Sequence, residues 1–481
     1  MKKIIISTLC IAIIAISSCS KFLDVQPKQT FGDNLAVSTL DGLANTTTAA
    51  FSKLQSGNLY GGGIIGNSEF MADFLYTNSI SDYSLVQFKT HGLNTYNSQA
   101  NGMWNDAYSA IMIVNTVLKY LPNFETQDPA TVQRIRGECY FIRGIMFYEL
   151  VKMYAQPSGY TAGNGHLGIP LVLNPGTVDK EQNNPRSTVA QTYAQIIADL
   201  MQAEQLLPTT NLRATKYAAQ AFLAKAYFTQ NKFTEAKTYA DKVIQNGGFR
   251  MNDSAALIYR DFGSIPAAGG EAIFQIVNET TDIDNGSLYG RFGYVPYGLT
   301  QPIYYINKSI FATPILEQAA HDSDLRVLPL SSHGAITATG NGLFCLKSGH
   351  YLCQKYNAQY SNVTVIRLPD IYLLDAECSA QLGNDADAHT YLNKVRTKRG
   401  LLADNTSTGA GLITRIRLER DLELAFEGDH FSEFKRRSAL AGSGTFHCQD
   451  GDFAWNASQM IYPIPQQEVD QNKSMVQNPG Y

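Results

Sequence analysis

The sequence predicts a mainly α-helical protein: a scaffold of tetratricopeptide-like helical pairs carrying an irregular, loop-rich lobe. Three observations predict this. Apolar residues recur at helical spacing along most of the chain, as Trp104, Tyr108, Ile111, Val114 and Leu118 do. Two segments carry the residue pattern of a repeated helix hairpin, a unit that buries its apolar face only by stacking on a neighbour. Between them runs a stretch, about 249–363, rich in Gly, Pro, Tyr and Asn and poor in helical pattern. Loops of that length in a compact protein are usually functional.

The chain opens with Met1-Lys2-Lys3, apolar runs at 4–6 and 9–16, and Ser17-Ser18-Cys19. Two cations, a short apolar stretch and a small-residue cleavage site make a secretory signal over 1–18. The segment Ile16-Ser17-Ser18-Cys19 resembles the lipobox of bacterial lipoproteins. That resemblance implies a lipid on Cys19, which becomes the first mature residue. The apolar run is shorter than the roughly 20 residues that a bilayer span needs.

The mature chain reads as helices in the following order. The first covers 39–54, with Asp41 near its start. Residues 59–102 are rich in Gly, Asn and Tyr and read as irregular. A helix over 103–121 stops at Pro122. Asp128 caps the next, which has Pro129 at its first position and runs to about Tyr154. Residues 187–207 follow, ended by Pro208. The first hairpin covers 215–230 and 232–246. There Leu223, Ala224, Tyr227, Asn231, Phe233, Ala236, Ala240 and Val243 fall at the repeat offsets. Ala224 and Ala236 let the helices approach, and Tyr227 and Phe233 fill the gaps. Residues 271–277 read as a short buried strand. Helices resume at 367–381, 385–399 and 413–437, with Ala376, Gly383, Ala388, Leu392 and Val395 as the second repeat copy. More than a hundred residues separate the two copies, so the sequence predicts an interrupted solenoid with a large insertion.

Of the 481 residues, 44% are apolar and 17% charged, and net charge is −4, a globular balance with no pull toward a polyanion. The densest basic run, Lys435-Arg436-Arg437, sits among acids, which excludes nucleic acid as a partner. Tyr is frequent, 27 against 2 Trp, and tyrosine suits wet binding surfaces. Cys10 leaves with the signal. Five of the seven cysteines remain beside Cys19: Cys139, Cys345, Cys353, Cys378 and Cys448. Cys345 and Cys353 are spaced to close a small loop across a hairpin. Cys139 and Cys378 lie in apolar helical patterns and read as buried thiols. His430, His447 and Cys448 do not complete a metal-ligand set, and no spacing matches a zinc site. No metal or cofactor is expected. Neither a phosphate loop nor a Gly-x-Ser-x-Gly elbow is present.

Four ordered blocks resemble the SusD/RagB family of surface lipoproteins from Bacteroidetes. The first runs from Arg136 to Tyr154 and is followed by Gly168-Ile-Pro-Leu171. The second is Val365 to Glu377 with Leu392-Asn-Lys-Val-Arg396. The third is Glu419 to Gly428. The fourth is Tyr462 to Val469 with the ending Gln477-Asn-Pro-Gly-Tyr481. Three features depart from the family pattern. His430 and Ser432 stand where the family usually has Arg and an aromatic, the loop 155–167 is longer, and the acids after the lipid cysteine reduce to Asp24. The resemblance implies a signal peptide over 1–18, a SusD-like N-terminal region over 19–248, an irregular lobe over 249–363 and a RagB/SusD C-terminal region over 364–481. It also implies an outer-membrane, lipid-anchored protein, facing the cell surface, that binds glycans without catalysis. Its partner would be a SusC-like TonB-dependent transporter.

Sugar capture needs flat aromatic faces for C–H surfaces and polar groups for hydroxyls. Both concentrate in the two irregular stretches. Asp73, Tyr76, Asn78, Asp82, Tyr83 and Tyr96 lie in the earlier one, and Tyr289, Arg291, Tyr294, Tyr297, Tyr304 and Tyr305 in the later. The sequence predicts that the two stretches meet to form the site; the same tyrosines could instead pack the lobe and the transporter interface. Trp104, with Tyr108 and Asn115, could offer a ligand platform, but a residue at that helical spacing is more often core. Arg136, Glu138, Arg143, Glu419, Arg420, Glu423 and Glu427 read as inter-helix ion pairs, although paired carboxylates also serve glycoside hydrolysis. The alternatives are a peptide cargo on the same scaffold and a lipid-anchored hydrolase.

Overall fold

The computed structural model describes residues 36–77, 82–175, 184–210, 213–252, 270–278, 288, 291–292, 304–307, 326, 344–347, 350–353, 355–356, 361–448 and 450–481. The signal segment with Cys10, and Cys19 and Asp24 after it, lie outside them, as do Asn78, Tyr289, Tyr294 and Tyr297.

Local sequence sets most helix starts. Helix α1 (Leu40–Leu54) opens where the Thr39 hydroxyl accepts the Gly42 N–H at 3.0 Å. The stretch expected to be irregular then holds α2 (Gly63–Met71), β1 (Leu75–Thr77) and α3 (Tyr83–Lys89). Every residue of α2 is buried, and a helix enclosed on all sides has no polar face to give it a period. Helix α4 (Ser98–Tyr120) starts ahead of the expected Met103 because Asn97 Oδ1 accepts the N–H groups of Gln99 and Ala100. Helix α5 (Pro129–Tyr154) begins at the expected Asp128 cap. Strands β2 (Leu167–Pro170) and β3 (Arg186–Thr188) pair antiparallel and lead into α6 (Val189–Leu206), closed at its start by a Thr188–Gln191 capping box.

Helix α5 is the centre of the core. Phe141 through Tyr154 are buried without a gap. A Cβ on Gly144 would lie 3.0 Å from Leu200 Cγ, so the bare glycine lets α6 lie close. Phe141 meets Phe222 and Phe274 edge-on at centroid distances of 5.5 and 4.9 Å. Truncating it would cost about 3–5 kcal/mol. Trp104 is core as expected, packed against Tyr108 and Tyr154. Tyr108 and Asn115 each donate to a carbonyl, of Pro170 and Val172.

The helical stack continues through α7 (Lys216–Thr229) and α8 (Phe233–Asn246). The chain then leaves through β4 (Ala272–Ile276), passes β5 (Tyr304–Ile306), β6 (Phe344–Lys347) and β7 (His350–Cys353), and returns through β8 (Val363–Arg367). Helices α9 (Leu368–Gln381), α10 (Asp385–Lys398) and α11 (Gly409–Glu423) follow. The insertion lies between the two hairpins as expected, and in space the helical stack closes across it. Strands β4 and β8 pair antiparallel, Ala272 opposite Arg367, so the insertion leaves and returns at one point. Helix α9 therefore packs directly on α8. Lys237 reaches Asp375 at 2.9 Å, and the Tyr391 hydroxyl reaches Asp241 at 3.3 Å.

The helix expected over 413–437 is two helices, α11 and α12 (His430–Ala441). Phe426 and Gly428 between them have φ of 65° and 83°, which no α-helix accommodates. A hairpin of β9 (Thr445–Cys448) and β10 (Gly451–Ala454) and the short α13 (Gln466–Gln471) finish the chain. The tail is pinned to the end of α5: Tyr462 N–H donates to Met153 O and Asn478 Nδ2 to Tyr154 O, both at 2.8 Å.

The β6–β7 register does not set the two cysteines of the expected bridge opposite each other: Cys353 pairs with Phe344 and Cys345 with Leu352, and Cys353 is buried. Cys139 and Cys378 are buried free thiols as expected, and burial pushes the Cys139 thiol up to about 12.

Candidate ligand-binding surface

The two irregular stretches meet as a sheet. Strands run in the order β1-β5-β7-β6, and β1 pairs antiparallel with β5, Tyr76 opposite Tyr305. Directly opposed side chains share a face, and the two rings stack with centroids 5.4 Å apart at 25°. Asn307 fastens the join, its N–H donating to Phe74 O and its Nδ2 to Asp73 O, both at 3.0 Å. Asp73 itself is buried in a left-handed turn, φ 56°, so what it gives the join is its backbone.

Helix α3 packs on β1, and two open rings stand at its start and on the segment bonded to it. Tyr83 and Tyr96 are 70% and 75% exposed, yet their backbones are fixed. Asp82 Oδ1 accepts the Leu85 N–H and starts α3 right at Tyr83. Asn94 Oδ1 accepts the Tyr96 N–H at 2.9 Å. Asn97 Nδ2 donates to Ser84 O and Gln87 Oε1, and the Ser84 and Ser98 hydroxyls meet at 2.8 Å. The segments carrying the two tyrosines are thus bonded to each other. Rigid backbones under exposed rings give stacking area at low entropy cost.

Tyr304 is corrected. Alternation along β5 turns it inward, where it is 1% exposed and sits edge-on to Phe70 and Phe292. It has no free face for a ligand. Arg291 Nη1 donates to the Tyr304 hydroxyl at 3.0 Å, with the guanidinium 5.7 Å from that ring's centroid.

The carboxylates weighed for hydrolysis are engaged in ion pairs. Arg367 donates to Glu271, Glu423 and Glu427, Arg399 to Glu271 and Glu423, and Arg326 to Glu419 and Glu423. Glu427 is buried, which alone would raise it, but Arg367 and Lys355 hold it down to about 2. Arg420 binds Asp370 and Asp429, and Arg143 binds Asp199 and Asn115. Arg136 pairs with Glu125, and Glu138 with Arg134. His447 meets Asp452 on the exposed hairpin, and among the described residues no three His, Cys, Asp or Glu side chains group as metal ligands. Among the described residues no helix is long and apolar enough to cross a membrane.

Two family profiles match in order. One, SusD-like and described as starch-binding associating with the outer membrane, covers residues 21–228, and the SusD family profile covers 342–481. The chain belongs to the SusD/RagB family. A SusD-like protein of Formosa agariphila, P38, is 22% identical over 97% of this chain and 96% of its own. A SusD superfamily protein from Bacteroides vulgatus superposes with a TM-score of 0.77 at 21% identity, covering 92% of this chain and 99% of the other. A SusD-like carbohydrate binding protein from the same organism gives 0.72 at 19% identity, covering 91% and 97%. These likenesses fix the fold: a mainly helical SusD scaffold.

Against the SusD/RagB pattern, the residues left out of the sequence reading are Glu69 and Phe74. Glu69 sits on the buried α2, and its Oε1 accepts the Gly428 N–H at 2.8 Å while its Oε2 meets His430 Nδ1 at 2.9 Å. The Phe74 ring stacks on His430 with centroids 3.8 Å apart. Only the polar Glu69 inside an apolar run signalled a buried partner in advance.

Proposed function

We propose that this SusD/RagB protein captures glycans at the cell surface and passes them, uncut, to a SusC-like TonB-dependent transporter. The observation that carries the reading is the pair of exposed rings, Tyr83 and Tyr96, on backbone segments bonded to each other, with α3 packed on the strand that carries Tyr76. Pyranose C–H faces stack on such rings, and an oligosaccharide reaching several of them gains by multivalency. Tyr289, Tyr294 and Tyr297 are proposed to complete the site. The family description and the carbohydrate-binding relative favour the same cargo. Cys19 carries the lipid that holds the mature chain, residues 19–481, at the outer membrane. A non-catalytic role is favoured because the carboxylates weighed for hydrolysis are tied up in buried ion pairs.

Affinity electrophoresis against a panel of polysaccharides and peptides tests this, with the running gel assayed for new reducing ends. Retardation by at least one polysaccharide, with no chain cleavage, is expected. Cleavage, or retardation by peptides alone, would overturn it.

A further inference from the structure

Behind the tyrosine surface lies a contact that the binding reading does not use. Helix α2 is tied to the 424–430 turn three times. Ser68 Oγ donates to Gly428 O at 2.9 Å, Gly428 N–H donates to Glu69 Oε1 at 2.8 Å, and His430 Nδ1 meets Glu69 Oε2 at 2.9 Å. The other ring nitrogen, His430 Nε2, faces Asp421 O at 2.8 Å. Both nitrogens therefore look at oxygens that accept only, a carboxylate and a carbonyl. A neutral imidazole has one N–H and one lone pair, so one of these contacts would set a lone pair against an oxygen; an imidazolium satisfies both.

The ring has a third neighbour. Phe74 stacks on it at 3.8 Å and 20°, close enough for a cation–π attraction that exists only while the ring is charged. Phe74 lies two residues before Tyr76, and alternation along an extended chain puts both on one side. The Phe74 N–H donates to Glu69 O, and its carbonyl accepts the Asn307 N–H. The same short segment thus joins His430, Glu69 and the ligand-side stack.

We propose that the His430 imidazolium, clasped between Glu69 and Asp421 O and capped by Phe74, is a positioning residue that holds β1 and the Tyr76–Tyr305 platform in register. Unlike an arginine or lysine, a histidine in this place can titrate near physiological pH. The other charged groups packed around it are already paired. The Asp421 carboxylate takes Arg437, Glu433 takes Arg436, and Asp429 takes Arg420 and Lys225. Tyr356 sits nearby with its hydroxyl on Phe426 O. Burial would lower the imidazole, but Glu69 outweighs it and lifts His430 to about 9. The clasp is therefore closed at neutral pH and opens as pH rises through that value.

The clasp stands whatever the ligand is; its effect on affinity rests on the glycan reading above. Two measurements keep the two apart. In ligand-free protein, the His430 imidazole followed by ¹H–¹⁵N NMR from pH 6 to 10.5 is expected to carry protons on both nitrogens at pH 7 and to lose one near 9. His430→Gln is expected to speed amide exchange about fivefold or more over residues 74–77 but not over 218–228. A neutral ring at pH 7, or unchanged exchange at 74–77, would overturn the proposal. With a polysaccharide retained in the electrophoresis, affinity at pH 7 should fall about fivefold or more in His430→Gln. His430→Arg should keep it and lose the alkaline decline. Equal affinity of wild type and His430→Gln would remove the coupling to the platform.

Discussion

Tyr76 and Tyr305 stack across the β1–β5 join with ring centroids 5.4 Å apart. One belongs to the stretch before the helical stack and the other to the inserted lobe, so this contact marks where the two parts of the candidate site become one surface. Burial raises the Tyr76 phenol, with Tyr305 adding to it, so the Tyr76 ring remains a neutral donor at physiological pH. Replacing Tyr76 by alanine should weaken oligosaccharide binding about threefold to tenfold, the worth of one aromatic contact. Isothermal titration at pH 7 checks it.

The ion cluster at the lobe's root should carry much of the stability. Arg367 is 1% exposed and serves Glu271, Glu423 and Glu427. Arg367→Met keeps the volume and removes the charge, leaving buried carboxylates short of partners. The expected loss is about 3–5 kcal/mol, read from urea unfolding.

Acid should release the same cluster. Glu427 and Glu433 are held down to about 2 by their cationic neighbours against the opposing effect of burial, and Glu423 and Asp429 are also lowered. Folded-state values lie below the unfolded values of about 4. The stabilisation is therefore complete above about pH 5 and is lost as pH falls toward 2. Thermal unfolding measured from pH 7 down to 3 should show a steep fall below about pH 5 and little change above it.

Gly428 should resist substitution. Its φ is 83°, and a Cβ there would lie 3.1 Å from Ile65 Cα and 3.3 Å from Ile64 O. Gly428→Ala should cost about 1–3 kcal/mol from backbone strain, with added loss where the Glu69 contact shifts. Chemical denaturation against wild type gives the number.

Membrane attachment has its own test. Cys19→Ser should move the protein from the membrane to the soluble fraction and abolish labelling by radioactive palmitate in growing cells. Unlabelled wild type would remove the lipid anchor from the account.

The helices were legible wherever a cap and a period coincided. Asp128 with Pro129, Thr215 and Thr39 each gave a start within a residue of the one observed. Legibility failed elsewhere for physical reasons. Helix α2 is enclosed on every side, so no polar face set its period. The break between α11 and α12 depends on the left-handed Phe426, a residue type that rarely adopts that conformation. The direct stacking of α9 on α8 depends on β4 meeting β8, a pairing between distant segments that no local pattern encodes. The site divided in the same way. That Tyr76 meets the lobe followed from where tyrosines crowd. That Tyr304 faces inward followed only from the β5 register.

The central claim is that fixed, exposed tyrosines on α3 and the segment bonded to it capture glycan. Titrating wild type and Tyr83→Ala/Tyr96→Ala with the longest retained oligosaccharide tests it most directly, since both rings are exposed and their loss should leave thermal unfolding unchanged. The account predicts a fall in affinity of about tenfold or more. Equal affinity of the two proteins would contradict it.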